Sequence, residues 1–272
     1  MLIKEALNFG AKQLQMYPNP RKEAALLLAF LLNKERTWIM LNDTQPLESA
    51  SDFFDLVKRR FDGEPLEYIL GKASFYSKEF IVNKGVLVPR PETELLVDKA
   101  LRLIQNIPNP RIIEVGTGSG VISIMLALMV PNAKIVATDI SFKAISNAKE
   151  NANLHGVKEH ITFVHGAYMD GIVGEFDLLV SNPPYISNSA TLEPHVLQEP
   201  HEALFGGEIG SETLHTLIQK AHRASVNTIA CEMGYDQKAL MKRALIDIGA
   251  SEIHFYKDLA GFDRGFSAKL KG

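Results

Sequence analysis

Five residues, Gly116-Thr117-Gly118-Ser119-Gly120, restrict what this 272-residue chain can fold into more than any other stretch. They follow Arg111-Ile112-Ile113-Glu114-Val115, an apolar run of strand length. They precede Val121-Ile122-Ser123-Ile124-Met125-Leu126-Ala127-Leu128, which reads as a buried helix. Glycines between a strand and a helix take positive φ and let the backbone approach a ligand, while the free amides of the helix N-terminus favour polar or negative groups. The dinucleotide fingerprint places glycines at its first, third and sixth positions, and the sixth position here is Val121. The spacing therefore argues against a nicotinamide-dependent oxidoreductase.

The same alternation continues downstream. Residues 111–115, 134–138, 161–164, 176–181, 227–232, 252–257 and 265–270 read as strands separated by helical segments. Such alternation implies a largely parallel sheet covered by helices on both faces, with ligands collecting beyond the strands' carboxyl ends. Gly116, Asp139 and Asn182 all fall at such ends. Asp139 lies 19 residues beyond Gly120 at the end of its strand, where a carboxylate can accept both hydroxyls of a ribose; the alternative is a turn or capping residue ahead of Ser141. The spacing Glu-x-Gly-x-Gly-x-Gly over residues 114–120 is similar to the first motif of class I S-adenosylmethionine-dependent methyltransferases.

Asn182-Pro183-Pro184-Tyr185 leaves the apolar run Phe176-Asp177-Leu178-Leu179-Val180 and points to chemistry on a planar NH2 group. The lone pair of such a nitrogen is delocalised, so it is a poor nucleophile until its N–H groups find acceptors. The Asn182 side-chain oxygen and the Pro183 carbonyl can supply two. Pro183 and Pro184 remove two N–H donors and fix φ, so the turn presents carbonyls. Tyr185 offers a flat face for stacking. A plain turn after a strand is the competing reading.

Ahead of this region the period is helical. Leu2, Ile3, Ala6, Leu7 and Leu14 share a face; Pro18 and Pro20 break the pattern; residues 22–32 form a second helix. A third, starting near Ser51, is read as carrying Phe53, Phe54, Val57 and Phe61 inward. Residues 1–71 are thus expected to form a helical domain and 72–88 a linking hairpin. Residues 89–272 should form the α/β domain, in which Pro89-Arg90-Pro91-Glu92-Thr93-Glu94 opens a helix over 95–104. Lys and Arg total 29 against 32 Asp and Glu, for a net charge of −3, without the basic excess expected of a duplex-DNA binder. Cys231 is the only cysteine, and the eight histidines lack zinc-ligand spacing, so neither a disulfide framework nor a metal site is expected. Residues 24–32 are too short to span a bilayer, and the N-terminus has no signal-peptide pattern, which points to a cytoplasmic location.

Beyond single motifs, the chain resembles the release-factor glutamine methyltransferases of the HemK/PrmC type. Glu64 to Gly71, Val86 to Glu94, the glycine loop, Asn182 to Ile186, Glu199-Pro200 with Ala203 to Gly207, and Asp258 to Arg264 carry the resemblance in order and spacing. It implies an α/β class I methyltransferase fold: a Rossmann-like, seven-stranded, mostly parallel sheet with an N-terminal helical bundle. The cofactor is S-adenosylmethionine, yielding S-adenosylhomocysteine. The substrate is the side-chain amide of the Gln in the Gly-Gly-Gln loop of class I peptide-chain release factors, docked by the helical domain, with no direct DNA binding. Gly116, Thr117, Gly118, Ser119 and Gly120 are then expected around the methionine moiety and Asp139 on the ribose. Asn182, Pro183, Pro184 and Tyr185 are expected around the substrate amide, with Arg90 and Thr93 flanking the pocket. Glu114 orders the cofactor's amino end through water or is a buried structural carboxylate; Thr93 flanks the site or caps its helix. Where the family has an acidic and then a bulky residue near the adenine, this chain has Gly166-Ala167-Tyr168-Met169-Asp170, so backbone amides of Gly166 or Ala167 are expected there. Two rivals are a nucleic-acid amino methyltransferase and a module that binds the cofactor without catalysis.

Overall fold

The computed structural model describes residues 1–270; Lys271 and Gly272, the last two residues of the expected 89–272 domain, lie outside the described residues. The chain divides into two compact units, one made of Met1–Lys72 with Glu193–Gln198, the other of Ala73–Leu192 with Glu199 onward.

The first unit is helical: α1 (Ile3–Gln13), α2 (Pro20–Leu32), α3 (Arg36–Leu41), α4 (Ala50–Phe61) and α5 (Leu66–Leu70). Helix α2 starts two residues earlier than the apolar pattern suggests, because Pro20 occupies its first turn, where the missing N–H would have had no partner. The inward face of α4 is Phe53, Leu56, Val57 and Arg60. Phe54 and Phe61 are 37% and 49% exposed, which corrects their expected burial. One turn of 3.6 residues carries Phe53 to Val57 and Arg60, and sets Phe54 and Phe61 on the flank. Phe54 meets the Phe9 ring there, centroids 4.5 Å apart.

Arg60 is buried because its charge is fully engaged. Its Nε donates to Glu23 at 2.6 Å, its Nη1 to the Glu64 carbonyl at 3.0 Å, and its guanidinium lies 3.5 Å from the Tyr17 ring centroid. A buried charge is tolerated only when paired in this way.

In the second unit, a hairpin of β1 (Lys72–Phe75) and β2 (Lys78–Ile81) leads to the main sheet. Its strands in chain order are β3 (Arg111–Val115), β4 (Lys134–Asp139), β5 (Ile161–His165) and β6 (Phe176–Ser181), then β9 (Val226–Glu232), β10 (Ser251–Lys257) and β11 (Asp263–Lys269). A short parallel pair, β7 (Ile186–Ser187) and β8 (Phe205–Gly207), stands apart. The spatial order is β10-β11-β9-β6-β3-β4-β5. Strands β9, β6, β3, β4 and β5 run parallel, and β11 is antiparallel to both its neighbours.

Alternation along the strands feeds two cores. Ile112, Leu178 and Val180 pack with α6 (Thr93–Ile104) and α7 (Val121–Met129), near α8 (Phe142–Leu154). Ile113, Leu179 and Ile229 pack on the other face with α10 (Glu212–Arg223) and α11 (Lys238–Asp247), while α9 (His201–Leu204) is a single turn. Buried on both faces, these strands read as continuous apolar runs. No helix among the described residues is long and apolar enough to cross a membrane.

In the helical unit, Gly10 marks a close approach: a Cβ there would lie 2.8 Å from the Ala24 Cβ and 3.0 Å from the Phe53 ring. Gly10→Val should therefore destabilise this unit by about 1–3 kcal/mol. Trp38, the chain's single tryptophan, sits in α3 and reports on this unit by fluorescence during denaturant unfolding. An unchanged midpoint would contradict the tight α1–α2–α4 packing.

Candidate active site

The carboxyl ends of β3, β4 and β6 meet at one edge of the sheet. Val115 pairs with Thr138, and the Ser181 hydroxyl donates to the Val115 carbonyl at 2.6 Å, so the three chain exits are tied together. The amides of Gly116 and Thr117 both donate to the Thr138 carbonyl at 2.9 Å. The Gly118 amide donates to Asp139 Oδ2 at 2.9 Å and the Ser141 amide to Oδ1 at 2.9 Å. In front of this edge lies a cavity of about 330 Å³, lined among others by Gly116, Gly118, Asp139, Ile140, Gly166, Tyr168, Asn182, Pro183 and Pro184.

Gly116 and Gly118 have φ of +75° and +55°, and a Cβ at either would meet no atom within 4 Å. Their backbone is open to a ligand. Asp139 lines the cavity and acts as a turn acceptor as well; each of its oxygens, having accepted one amide, keeps a lone pair for a ligand hydroxyl. Burial pushes its carboxyl up, against the pull of the two amides. The helix that follows is capped by Ser141, whose Oγ accepts from the Ala144 amide, and not by Asp139. A small-molecule pocket of this size, with glycine backbone on one side and a carboxylate on the other, fits an adenosyl amino acid.

Thr117, Ser119, Gly120 and Ala167 do not line the cavity. The Thr117 hydroxyl donates to Glu114, the Ser119 carbonyl accepts from Asn151 at 2.8 Å, and Gly120 starts α7 with φ +84° where a Cβ would crowd Ala148. These three residues shape the loop from behind. At the adenine end, Gly166 and Tyr168 line the cavity on either side of Ala167. Glu114 is 1% exposed, and its Oε2 accepts from the Thr117 hydroxyl and from the Ser123 amide and hydroxyl, while Oε1 has no partner among the described residues. Burial pushes its carboxyl up to about 8.

At the end of β6, Pro183 is buried, and Asn182, Pro184 and Tyr185 are half-buried. Asn182 Nδ2 donates to the Thr93 hydroxyl at 3.1 Å, which leaves Oδ1 as its free acceptor. Thr93 does not cap its helix; Glu92 is the cap residue and Thr93 the first residue inside α6, 3% exposed. The turn is backed by Gly206, where a Cβ would lie 2.5 Å from the Pro184 carbonyl. Tyr185 does not line the cavity. Its carbonyl accepts from Gln237 at 2.9 Å, and burial pushes the phenol up against the pull of the nearby Arg264 charge.

Arg90 does not line the cavity either; it donates to Glu199 at 2.5 Å, and the other oxygen of Glu199 accepts the Val88 amide at 2.9 Å. This ion pair ties two segments more than a hundred residues apart. Pro200, Glu202, Ala203 and Phe205, just beyond it, line the cavity and were not singled out as site residues. The segments Glu199-Pro200 and Ala203 to Gly207, named only as carrying the family resemblance, are the signal that could have found them.

Residues 5–71 match a family model described as the PrmC N-terminal domain, and residues 93–205 one described as the methyltransferase small domain. The release factor glutamine methyltransferase of Buchnera aphidicola subsp. Baizongia pistaciae is 34% identical over 97% of this chain and 98% of its own length. The chain belongs to the release factor glutamine methyltransferase family. A bifunctional methyltransferase of Rickettsia typhi is 37% identical over 90% of the chain, which spans about half (52%) of that longer relative.

Among solved structures, the hMettl16 catalytic domain in complex with an RNA hairpin superposes with a TM-score of 0.60 at 15% identity, covering 82% of each chain. The ribosomal protein L11 methylase of Lactobacillus delbrueckii subsp. bulgaricus gives 0.51 at 22% identity, covering 70% of this chain and 84% of that one. These likenesses establish the fold. Family and fold together make the chain an S-adenosylmethionine-dependent methyltransferase.

Glu114 also sets a pH dependence. Its carboxyl ordinarily titrates at 4.5 but keeps its proton in the folded chain up to about 8, so the folded state binds more protons between those values. Stability should therefore fall as pH rises from about 5 to 8. Denaturant midpoints measured across that range should show the decline in the wild type and a shallower one in Glu114→Gln. An identical slope in both would contradict the assignment.

Proposed function

We propose that the chain transfers a methyl group from S-adenosylmethionine to the side-chain amide nitrogen of the Gln in the Gly-Gly-Gln loop of class I peptide-chain release factors. The observation that carries this reading is the Asn182 carboxamide, with its nitrogen donating to Thr93 and with Asn182 and Pro183 both lining the cavity. Two acceptors at one turn suit a planar NH2. The relatives' names supply which one: the Buchnera protein is a release factor glutamine methyltransferase.

When bound, the cofactor supplies an electrophilic methyl group on a sulfonium. The backbone of Gly116 and Gly118 borders its amino acid part, with Thr117, Ser119 and Gly120 shaping that loop from behind. Asp139 accepts the ribose hydroxyls. The Gly166-Ala167-Tyr168 segment borders the base. Asn182 Oδ1 and the Pro183 carbonyl accept the two N–H groups of the substrate amide, Pro184 fixes the turn, and Tyr185, set back from the cavity, anchors the turn through its carbonyl to Gln237. The acceptors orient the nitrogen and stabilise the positive charge that develops on it. An amide nitrogen grows more acidic as it is alkylated, so its proton leaves late and no strong general base is needed.

The helical unit takes the role of docking the protein substrate. It leaves Met40, Leu41 and Phe61 exposed by 65%, 80% and 49%, apolar surface suited to a protein partner. The near-balanced charge disfavours duplex DNA as that partner, and a release factor substrate places the enzyme in the cytoplasm.

Two substitutions test the site. Asn182→Ala should lower turnover at least about a hundredfold, the scale of one lost preorganised partner at about 2.7–4 kcal/mol, with cofactor affinity nearly unchanged. Asp139→Ala should instead weaken cofactor binding. Labelled cofactor incubated with a release factor, its Gln→Ala variant, or DNA provides the readout. Label in DNA, or undiminished label in the Gln→Ala variant, would overturn the substrate.

A further inference from the structure

The amide that receives the methyl group belongs to a protein, so the polypeptide on either side of it has to leave the cavity across the rim of the sheet. The spatial order β10-β11-β9-β6-β3-β4-β5 divides that rim. Gly116 follows β3, Asp139 ends β4 and Gly166 follows β5, so the cofactor takes the half over those strands, while Asn182 follows β6. The half over β9, β11 and β10 is left to the polypeptide. The register carries the level of Asn182 across that half: Ser181 pairs with Cys231, Cys231 with Phe266, Glu232 with Gly265, and Lys257 with Asp263. The loop between β9 and α11 and the tip of the β10–β11 hairpin therefore emerge at the same edge as the Asn182 turn.

These two loops carry exposed apolar side chains. Leu259 is 100% exposed, and Phe262, on the same hairpin tip, 54%. Tyr235, 64% exposed, meets the Phe262 ring edge-on with centroids 5.8 Å apart. The side chains face solvent, but the backbone beneath them is braced. Asp258 Oδ1 accepts the amides of Ala260 at 3.0 Å and Phe262 at 2.9 Å, its Oδ2 accepts Nε and Nη2 of Arg264 at 3.1 and 2.7 Å, and Lys257 Nζ donates to the Gly261 carbonyl at 2.8 Å. The Tyr235 loop is pinned to the Asn182 turn through Gln237, which donates to the Tyr185 carbonyl and accepts the Gly234 amide, each at 2.9 Å. Clustered apolar side chains mark interaction surfaces, and a frame ordered in advance lowers the entropic cost of binding.

We propose that Leu259, Phe262 and Tyr235 form a docking surface on the methyltransferase unit for an apolar segment of the release factor that flanks its Gly-Gly-Gln loop. The inference rests on the substrate described under Proposed function and deepens it, because it names a contact outside both the cavity and the helical unit. The occupant follows from the place: the surface continues from the turn that receives the amide, and the chain that carries the amide runs beside it. None of the three residues touches the reacting atoms, so they act on capture of the protein substrate and not on the chemical step.

The test is steady-state label transfer to an intact release factor, with cofactor affinity and the association state of the chain measured separately. Leu259→Asp and Phe262→Ser should each raise KM for the release factor by roughly fivefold or more, the scale of a truncated interface anchor, with kcat and cofactor affinity within about twofold of wild type. Leu259→Met should stay near wild type. An unchanged KM in both variants, a kcat that falls as far as KM rises, or lost cofactor affinity would each overturn the docking surface. So would a wild-type dimer that both variants dissociate with KM unchanged, which would assign the patch to a second copy of the chain. If the wild type labels the release factor but not its Gln→Ala variant, while Leu259→Asp and Phe262→Ser behave as wild type, the docking surface alone fails. If the wild type leaves the release factor unlabelled, the substrate is wrong and the docking surface falls with it.

Discussion

Parallel pairing of β6, β3 and β4 in matched register is the constraint on which the rest of the α/β unit depends. Because the three strands run the same way and end together, the glycine loop, Asp139 and Asn182 emerge side by side at one edge, although they are scattered over the sequence. Hydrogen bonds across that edge hold the exits: Ser181 to Val115, the loop amides to Thr138, Gly118 to Asp139. A one-residue slip in any pairing would turn core residues outward and carry the adjoining site residue away from the cavity. Fold and site are the same set of interactions at this edge.

Two carboxyls on the strands around the glycine loop illustrate how burial divides labour. Glu114, on β3, spends one oxygen on Thr117 and Ser123 and is pushed up to about 8, which makes it a support for the loop and the start of α7. Asp139, on β4, also lies in a dry setting, but it faces the cavity and keeps acceptor capacity. At the opposite side the polarity is set partly by omission: prolines at 183 and 184 remove donors, and one N–H of Asn182 is held by Thr93. Asn182 Oδ1 and the Pro183 carbonyl are the acceptors this turn offers to an amide NH2.

Much of this was legible in the sequence, for identifiable reasons. Strands buried on both faces announce themselves as apolar runs, and a glycine loop between a strand and a helix has few alternative conformations. Strands β3, β6 and β9 could be found that way. Helix α4 shows where the reading runs short: four aromatic and aliphatic residues at 53, 54, 57 and 61 look alike in composition, yet the 3.6-residue turn and a paired Arg60 decide that Phe54 and Phe61 stay on the flank. The short helices α3 and α5 carry too few turns to show a period. Within the glycine loop the sequence marks five residues alike, whereas the backbone turns only Gly116 and Gly118 to the cavity and Thr117 toward Glu114. Links such as Arg90 to Glu199 and Thr93 to Asn182 join residues about a hundred positions apart, and no local pattern encodes them.

The central claim is that the reacting nitrogen sits against Asn182 and Pro183, within reach of a donor held between the glycine loop and Asp139. A crystal structure of the chain with S-adenosylhomocysteine and a Gly-Gly-Gln peptide tests it most directly. The account predicts ribose hydroxyls on Asp139 and the glutamine amide donating to Asn182 Oδ1 and the Pro183 carbonyl, with its nitrogen turned toward the sulfur. A nucleoside bound away from Asp139, or a glutamine amide held elsewhere than at Asn182, would contradict it.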